Sequence, residues 1–336
     1  MDYDNLDDFL SVQGMDFTFA ELLEQLQNGT KEGIFEILEY FGKIFLGNFH
    51  EIKGQLLQLL GICIMFSIVV QLSKAYGKES IGKYGSYIYF LCASTVCLNL
   101  FTGGYETVYR SINGVIQFME VLMPTYAFAL VMTNGINTSG AYYGLALLIL
   151  LLTEIILSVF FLPGTKIYMA MRFVNQGVGE NFFSKFIKLF EDVFSWGLKI
   201  MLVAVCSINT LQGLLFPAVD KVRRISVGKA MSMIPGIGSL SGSAAEVLLS
   251  STTLLKNSVG IAAVVILILL CIPAIMKLTV LILGVRLLDA CLEPVLGQKA
   301  VELMGGCHLS IRMLWKVQIH TLTIFALSLV IITALS

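Results

Sequence analysis

Long stretches without a charged residue alternate with short polar breaks along this chain. Residues 54–73, between Lys53 and Lys74, and 84–105, between Lys83 and Glu106, are each long enough to cross a bilayer, for which about 20 apolar residues suffice. Residues 121–153 carry no charge and are too long for one crossing; Asn134-Gly135 and Gly140 divide them. Further charge-free runs cover 200–219, 257–276 and 317–336. The pattern predicts an all-α, polytopic integral membrane protein with six to eight transmembrane helices.

The larger, later part of the chain reads as an internal repeat. Pro124 and Pro235 lie 111 residues apart, Pro163 and Pro273 110, and Lys166 and Lys277 111. The two tryptophans, Trp196 and Trp315, each open the last apolar run of a half and lie 119 apart. Each half thus reads as a proline/glycine-broken, re-entrant segment, a strong span, a Pro-then-Lys break and a final span. Halves with an odd number of crossings would be inverted in the membrane, as in many transporters. The predicted units are an acidic amphipathic head (1–53), a first transmembrane hairpin (54–110), a first repeat half (111–212) and a second half (213–336).

In the head, Thr18 and Glu21 form a capping box opening a short helix. A second helix carries Ile34, Ile37, Leu38, Phe41 and Phe45 opposite Glu32, Glu36 and Glu39. Such acidic helices either dock a partner or lie against the body. Between the halves, residues 179–194 place Phe182, Phe183, Phe186, Phe190 and Phe194 on one face and Lys185, Lys188 and Glu191 on the other. That pattern predicts an interfacial helix in the headgroup plane.

Composition agrees with the spans. The chain of 336 residues is 57% hydrophobic and 13% charged, half the charge of an average soluble domain. The net charge of −1 hides a split. Residues 1–53 hold 11 Asp/Glu against 3 Lys/Arg, and the rest hold 12 acidic against 19 basic. Lys74, Lys78 and Lys83 in the short first loop predict that this loop is cytoplasmic and the head outside. MDYDNLDDFL is acidic where a secretory signal would be basic and then apolar. No basic cluster with interleaved aromatics supports nucleic-acid binding. The seven cysteines form no CxxC pair and, with three histidines, no metal spacing, so they read as small buried apolar residues. No cofactor or metal is expected.

Ionisable groups at membrane depth are the candidate functional residues. Glu154 sits mid-run in LALLILLLTEIILSVFF, either protonated or paired with Lys199 or Lys277 from another helix. Lys277 and Arg286 follow Pro273; Arg286, Asp289 and Glu293 share one helical face, where the arginine can neutralise a carboxylate. The stretch MIPGIGSLSGSAAE (233–246), with Pro235, Gly236, Gly238 and Gly242, reads either as a tight packing bend or, with MPTYAFALVMTNGINTSG, as a broken segment on a substrate path. No nucleophile, base and orienting group fall together, so an enzyme is not expected.

From LQGLLFPAVDKVRR (211–224) onward, through KAMSMIPGIGSLSGSAAEVLLSSTTLLKNSVGIAAVV and PAIMKLTVLILGVRLLDACLEPV, the chain resembles the stage III sporulation protein AE family. The matching positions are Pro217, Asp220, Pro235, Gly238, Lys256, Asn257, Gly260, Pro273, Lys277, Glu293 and Pro294. The likeness is clearest over 205–335 and extends more loosely through FMEVLMPTYAFAL to the acidic head. Family members usually carry a signal segment before that head, and none is read here.

The resemblance implies the large, permease-like membrane subunit of a secretion-like channel, or feeding tube, joining mother cell and forespore in endospore-forming bacteria. It would sit in the mother-cell (outer forespore) membrane. Its implied partners are the other stage III sporulation A-series proteins, including their secretion-type ATPase, and stage II sporulation protein Q across the intermembrane space. The residue pattern alone leaves two other readings open: a stand-alone secondary transporter with inverted repeats, and a structural membrane scaffold.

Overall fold

The computed structural model describes residues 32–77, 79–134, 136–178, 183–231, 241–292 and 298–335. For 32–45, 125–143, 213–231, 241–258 and 298–301 it describes essentially the backbone alone. Seven α-helices and one π-helical turn make up these residues, and no strand occurs among them. In order they are α1 (Glu32–Ala75), α2 (Glu79–Asn134), α3 (Ile136–Ile155), the π turn (Ile156–Phe161), α4 (Leu162–Val178), α5 (Ser184–Met231), α6 (Ser241–Leu292) and α7 (Gln298–Leu335). Five helical segments among them are long and apolar enough to cross a membrane: Leu46–Ser73, Gly82–Pro124, Gly144–Gly177, Val259–Leu292 and Glu302–Thr333. The protein is therefore an all-α, polytopic integral membrane protein. The sixth charge-free run, 200–219, lies within α5.

The helices are longer than the sequence pattern suggests. Pro124 and Pro273 were expected to break their segments, yet each lies inside a helix. A helix end at membrane depth strands backbone groups where no water can reach them, so a bend around the proline costs less than a break. Pro163 is accommodated differently. Just ahead of it the helix widens into the π turn, in which the Leu162 N–H donates to the Leu157 carbonyl five residues back, and such a wider turn makes room for the ring. At the division expected at Asn134-Gly135 with Gly140, α2 is described to Asn134 and α3 from Ile136; Gly135 lies outside the described residues, and Gly140 lies inside α3. The second head helix runs unbroken into the first span as α1, and residues 184–194 are the first turns of α5.

Close contacts fix the directions of the helices. Thr333 packs on Gly260 and Trp315 bonds Thr279, so α6 and α7 are antiparallel. Cys97 meets Cys307, Gly104 meets Leu314 and Ser111 meets Gln318, a nearly constant offset that makes α2 and α7 parallel. Asn209 meets Ser328 and Ser195 meets Lys316, at separations of 119 and 121, so α5 and α7 are parallel as well. Two repeat hairpins in an inverted pair would have these last helices antiparallel. The condition for inversion is thus not met: α4–α5 and α6–α7 point the same way.

With these directions, the charge-free runs of α3, α5, α6 and α7 lie side by side. On one side of the bundle those of α5, α6 and α7 end at Lys199, Lys277 and Lys316 respectively, and Lys166 of α4 lies near the same level. α1 runs parallel to α6, with Glu51 beside Lys277 and Leu56 against Gly284. Its apolar run therefore lies alongside 278–292 rather than alongside 257–276.

A charged belt at the boundary of the bundle as candidate functional site

The four lysines lie at one level of the bundle, where charged side chains from several helices gather. At its centre stands Glu191 of α5. Its Oε2 accepts a 3.0 Å hydrogen bond from the Tyr168 hydroxyl and lies 3.6 Å from Arg172 Nη2, both on α4. Its Oε1 lies 3.3 Å from Lys316 Nζ of α7. Arg172 also donates to the Tyr168 oxygen through Nε and Nη2, at 3.0 and 2.7 Å. Lys316 donates to Ser195 at 3.2 Å. Three helices are thus tied through one carboxylate.

Tyr168 is fully buried, and the charged side chains of Arg172, Glu191 and Lys316 retain only 26%, 29% and 25% exposure. Burial works against the charge of Glu191, but the Tyr168 hydroxyl, Lys316 and Arg172 outweigh it and hold the carboxyl below its ordinary value. Aromatic packing sets the geometry: Phe194 meets Phe161 edge-on at 5.1 Å, and Phe190 stacks beside Tyr168 at 6.2 Å. Gly164 lets Phe194 approach α4, since a Cβ there would stand 2.9 Å from its ring.

This corrects the reading of residues 179–194. Phe183 and Phe186 are exposed, but Phe194 is buried, and Glu191 turns inward instead of sharing the outer polar face with Lys185 and Lys188. The sequence offered one signal, Tyr168 and Arg172 one helical turn apart, and nothing in it pointed to their partner on the next helix.

Lys166 and Lys277, matched by the repeat spacing, each reach the first hairpin. Lys166 Nζ sits 3.8 Å from the Tyr105 ring centroid on α2, and Lys277 pairs with Glu51 of α1 at 2.9 Å. Lys277 is therefore not the partner of Glu154. Lys199 is exposed, and Glu154 enters none of the ion pairs among the described residues. Its neighbour Thr153 is the residue that faces inward, with Asn209 and Ser328, onto a narrow crevice walled by Met119, Met123 and Phe325.

Arg286 is exposed, while Asp289 is half-buried on the same helix. Pro273 is partly buried within α6. Pro235, Gly236, Gly238, Glu293 and Pro294 lie outside the described residues. Pro217 and Asp220 fall within α5, and Gly242 and Lys256 within α6, where only the backbone is described. Gly260 is where α6 and α7 touch most closely: any Cβ there would overlap the Thr333 side chain. Deeper in the bundle, Gln318 donates to Ser111 at 2.8 Å, joining α2 to α7 within apolar surroundings.

The long helices, the apolar exterior and the polar groups turned inward define a polytopic helical membrane protein. The chain belongs to the stage III sporulation protein AE family, whose model matches residues 17–336. It is 25% identical over 320 residues to the stage III sporulation protein AE of Bacillus subtilis, covering 93% of this chain and 79% of that protein. No solved structure matches the chain. Membership gives it a role in sporulation, as an integral membrane protein of a spore-forming bacterium.

Proposed function

We propose that the chain is the permease-like, membrane-embedded subunit of a secretion-like channel between mother cell and forespore, seated in the mother-cell membrane. Its partners in this reading are the other stage III A-series proteins with their secretion-type ATPase, and stage II sporulation protein Q. Family membership supports the reading, and the observation that carries it is the set of polar contacts held inside the bundle. Gln318 with Ser111 and Asn209 with Ser328 sit at apolar depth, above the belt centred on Glu191. Polar groups turned towards a bundle interior mark pathways in membrane proteins.

A scaffold is the second reading, and it rests on a different observation. Leu57, Met65 and Leu91 of α1 and α2 are each more than 60% exposed, on a hairpin displaced beyond the belt, and such a face suits contact with other membrane subunits.

The test is purification of the tagged full chain from sporulating cells in mild detergent, with identification of what accompanies it. Recovery of the A-series proteins and the ATPase is expected. Recovery of the chain alone, from cells in which those proteins are present, contradicts both readings.

A further inference from the structure

The side of the belt built by α4, α6 and α7 carries more positive charge than its carboxylates neutralise. On α7, His308, Arg312 and Lys316 are spaced four residues apart and share one helical face. α4 packs on that stretch, for Gln176 donates to the Glu302 carbonyl and lies against Gly306, and Arg172 stands one turn earlier. α6 flanks the other side, antiparallel, with Thr279 bonded to Trp315 at 3.2 Å and Arg286 two turns further on. Those contacts bring Arg172 of α4 and Arg286 of α6 to the level of His308 on α7, from two different helices. Three carboxylates lie nearby. Glu191 is engaged by Tyr168 and Lys316, Asp289 is half-buried on α6, and Glu302 is exposed on α7. Arg286 and Arg312 are exposed and enter no ion pair among the described residues.

The position of this cluster decides its ligand. Arg312 lies one helical turn, and Arg286 and His308 about two turns, beyond Lys277 and Lys316, where the charge-free runs 257–276 and 317–336 end. From there the long arginine side chains reach back to the headgroup level of a bilayer holding those runs. Trp196, 67% exposed on α5, lies near the same level, as tryptophans do at membrane interfaces. Basic pockets between transmembrane helices at this depth suit phosphate-bearing headgroups, and paired arginines grip a phosphate through two donors each.

We propose that Arg172, Arg286, His308 and Arg312 form a binding site for the phosphate of an anionic phospholipid. The lipid bridges α4, α6 and α7 on the outside of the bundle, opposite the inward bridge made by Glu191. It neutralises arginines that would otherwise repel one another across the helix contacts. Its acyl chains follow the apolar surfaces of α6 and α7 into the membrane.

The experiment uses the full chain in detergent, with bound lipid counted by native mass spectrometry and stability followed by thermal unfolding. Phosphatidylglycerol should bind and raise the unfolding temperature, while phosphatidylcholine should do neither. Arg286→Gln with Arg312→Gln should weaken phosphatidylglycerol binding about 30-fold, given the contribution of each basic residue at a membrane surface. Lys185→Gln with Lys188→Gln, on the exposed start of α5, should leave it unchanged. Arg286→Lys with Arg312→Lys keeps the charge and should retain most of the binding, which guards against misfolding of the glutamine pair. Equal loss from the α5 lysine pair, or no loss from the arginine pair, would overturn the site. Stabilisation and lipid displacement by millimolar inorganic phosphate alone would show a free-anion site and overturn the lipid assignment.

Discussion

Asn209 of α5 donates a 2.8 Å hydrogen bond to Ser328 of α7, and the two positions lie 119 residues apart. Trp196 and Trp315 are separated by the same number. One pair of positions at this spacing therefore touches across a parallel helix pair. In an inverted repeat the matched helices would run in opposite directions, so rocking of inverted halves about a central site does not describe this bundle. The arrangement is instead two like-oriented hairpins, α4–α5 and α6–α7, joined at Asn209–Ser328 and at Glu191–Lys316.

Cysteine cross-linking checks this register. In a background without the native cysteines, Asn209→Cys with Ser328→Cys should form a disulfide under mild oxidation. Asn209→Cys with Lys316→Cys should not, because twelve residues of helix separate the two sites by about 18 Å. A double-mutant cycle to alanine at 209 and 328 should give a coupling of about 0.6 kcal/mol, typical of interhelical hydrogen bonds in membranes.

Glu191→Gln removes the counter-charge of Arg172 and Lys316 while keeping the shape. The loss should be about 1–3 kcal/mol, the cost of leaving partly buried charged donors poorly satisfied. Its pH dependence has a definite sign. The folded carboxyl titrates below the ordinary value of 4.5, so its stabilisation is complete above that value and is lost as the pH falls through the lowered one. Thermal unfolding in detergent should show the wild type losing stability below about pH 4.5, with a shallower loss in Glu191→Gln.

At Gly260 the Thr333 side chain of α7 packs so closely on α6 that a methyl group would overlap it. Gly260→Ala should destabilise by about 1–3 kcal/mol, the usual cost of overpacking. Thr333→Ala in the same chain should recover part of that loss. Gly305→Ala on α7, where a Cβ meets nothing within 4 Å, is the control and should change stability little.

The Glu51–Lys277 pair ties the first hairpin to α6. Glu51 is 62% exposed, so the pair should contribute no more than about 1 kcal/mol. Lys277→Glu should lower the unfolding temperature, and Glu51→Lys in the same chain should restore most of it. Failure of the reversed pair to recover would show that Lys277 acts through other contacts.

The helical spans were legible because hydropathy at membrane depth admits one backbone solution. Pro124 and Pro273 misled for a related reason: the residue that breaks a helix in water is carried within a helix where broken hydrogen bonds cannot be replaced. Glu154 drew attention as the one charge in a long apolar run, yet its neighbour Thr153 faces the interior, because periodicity alone does not fix which side of a helix meets its neighbours. The belt was half-legible. Its lysines end the apolar runs in the sequence, but the joining of Tyr168, Arg172, Glu191 and Lys316 depends on three helices meeting, and spacing along the chain carries no record of that.

The central claim is that this chain works in the channel between mother cell and forespore through the polar interior of its bundle. Deleting its gene in the spore-forming host and following a late forespore reporter tests this most directly. The account predicts arrest after engulfment with the reporter silent. Wild type should rescue it, and Glu191→Gln or Lys316→Gln, present in the membrane at normal levels, should not. Normal spores from the deletion strain would contradict the account.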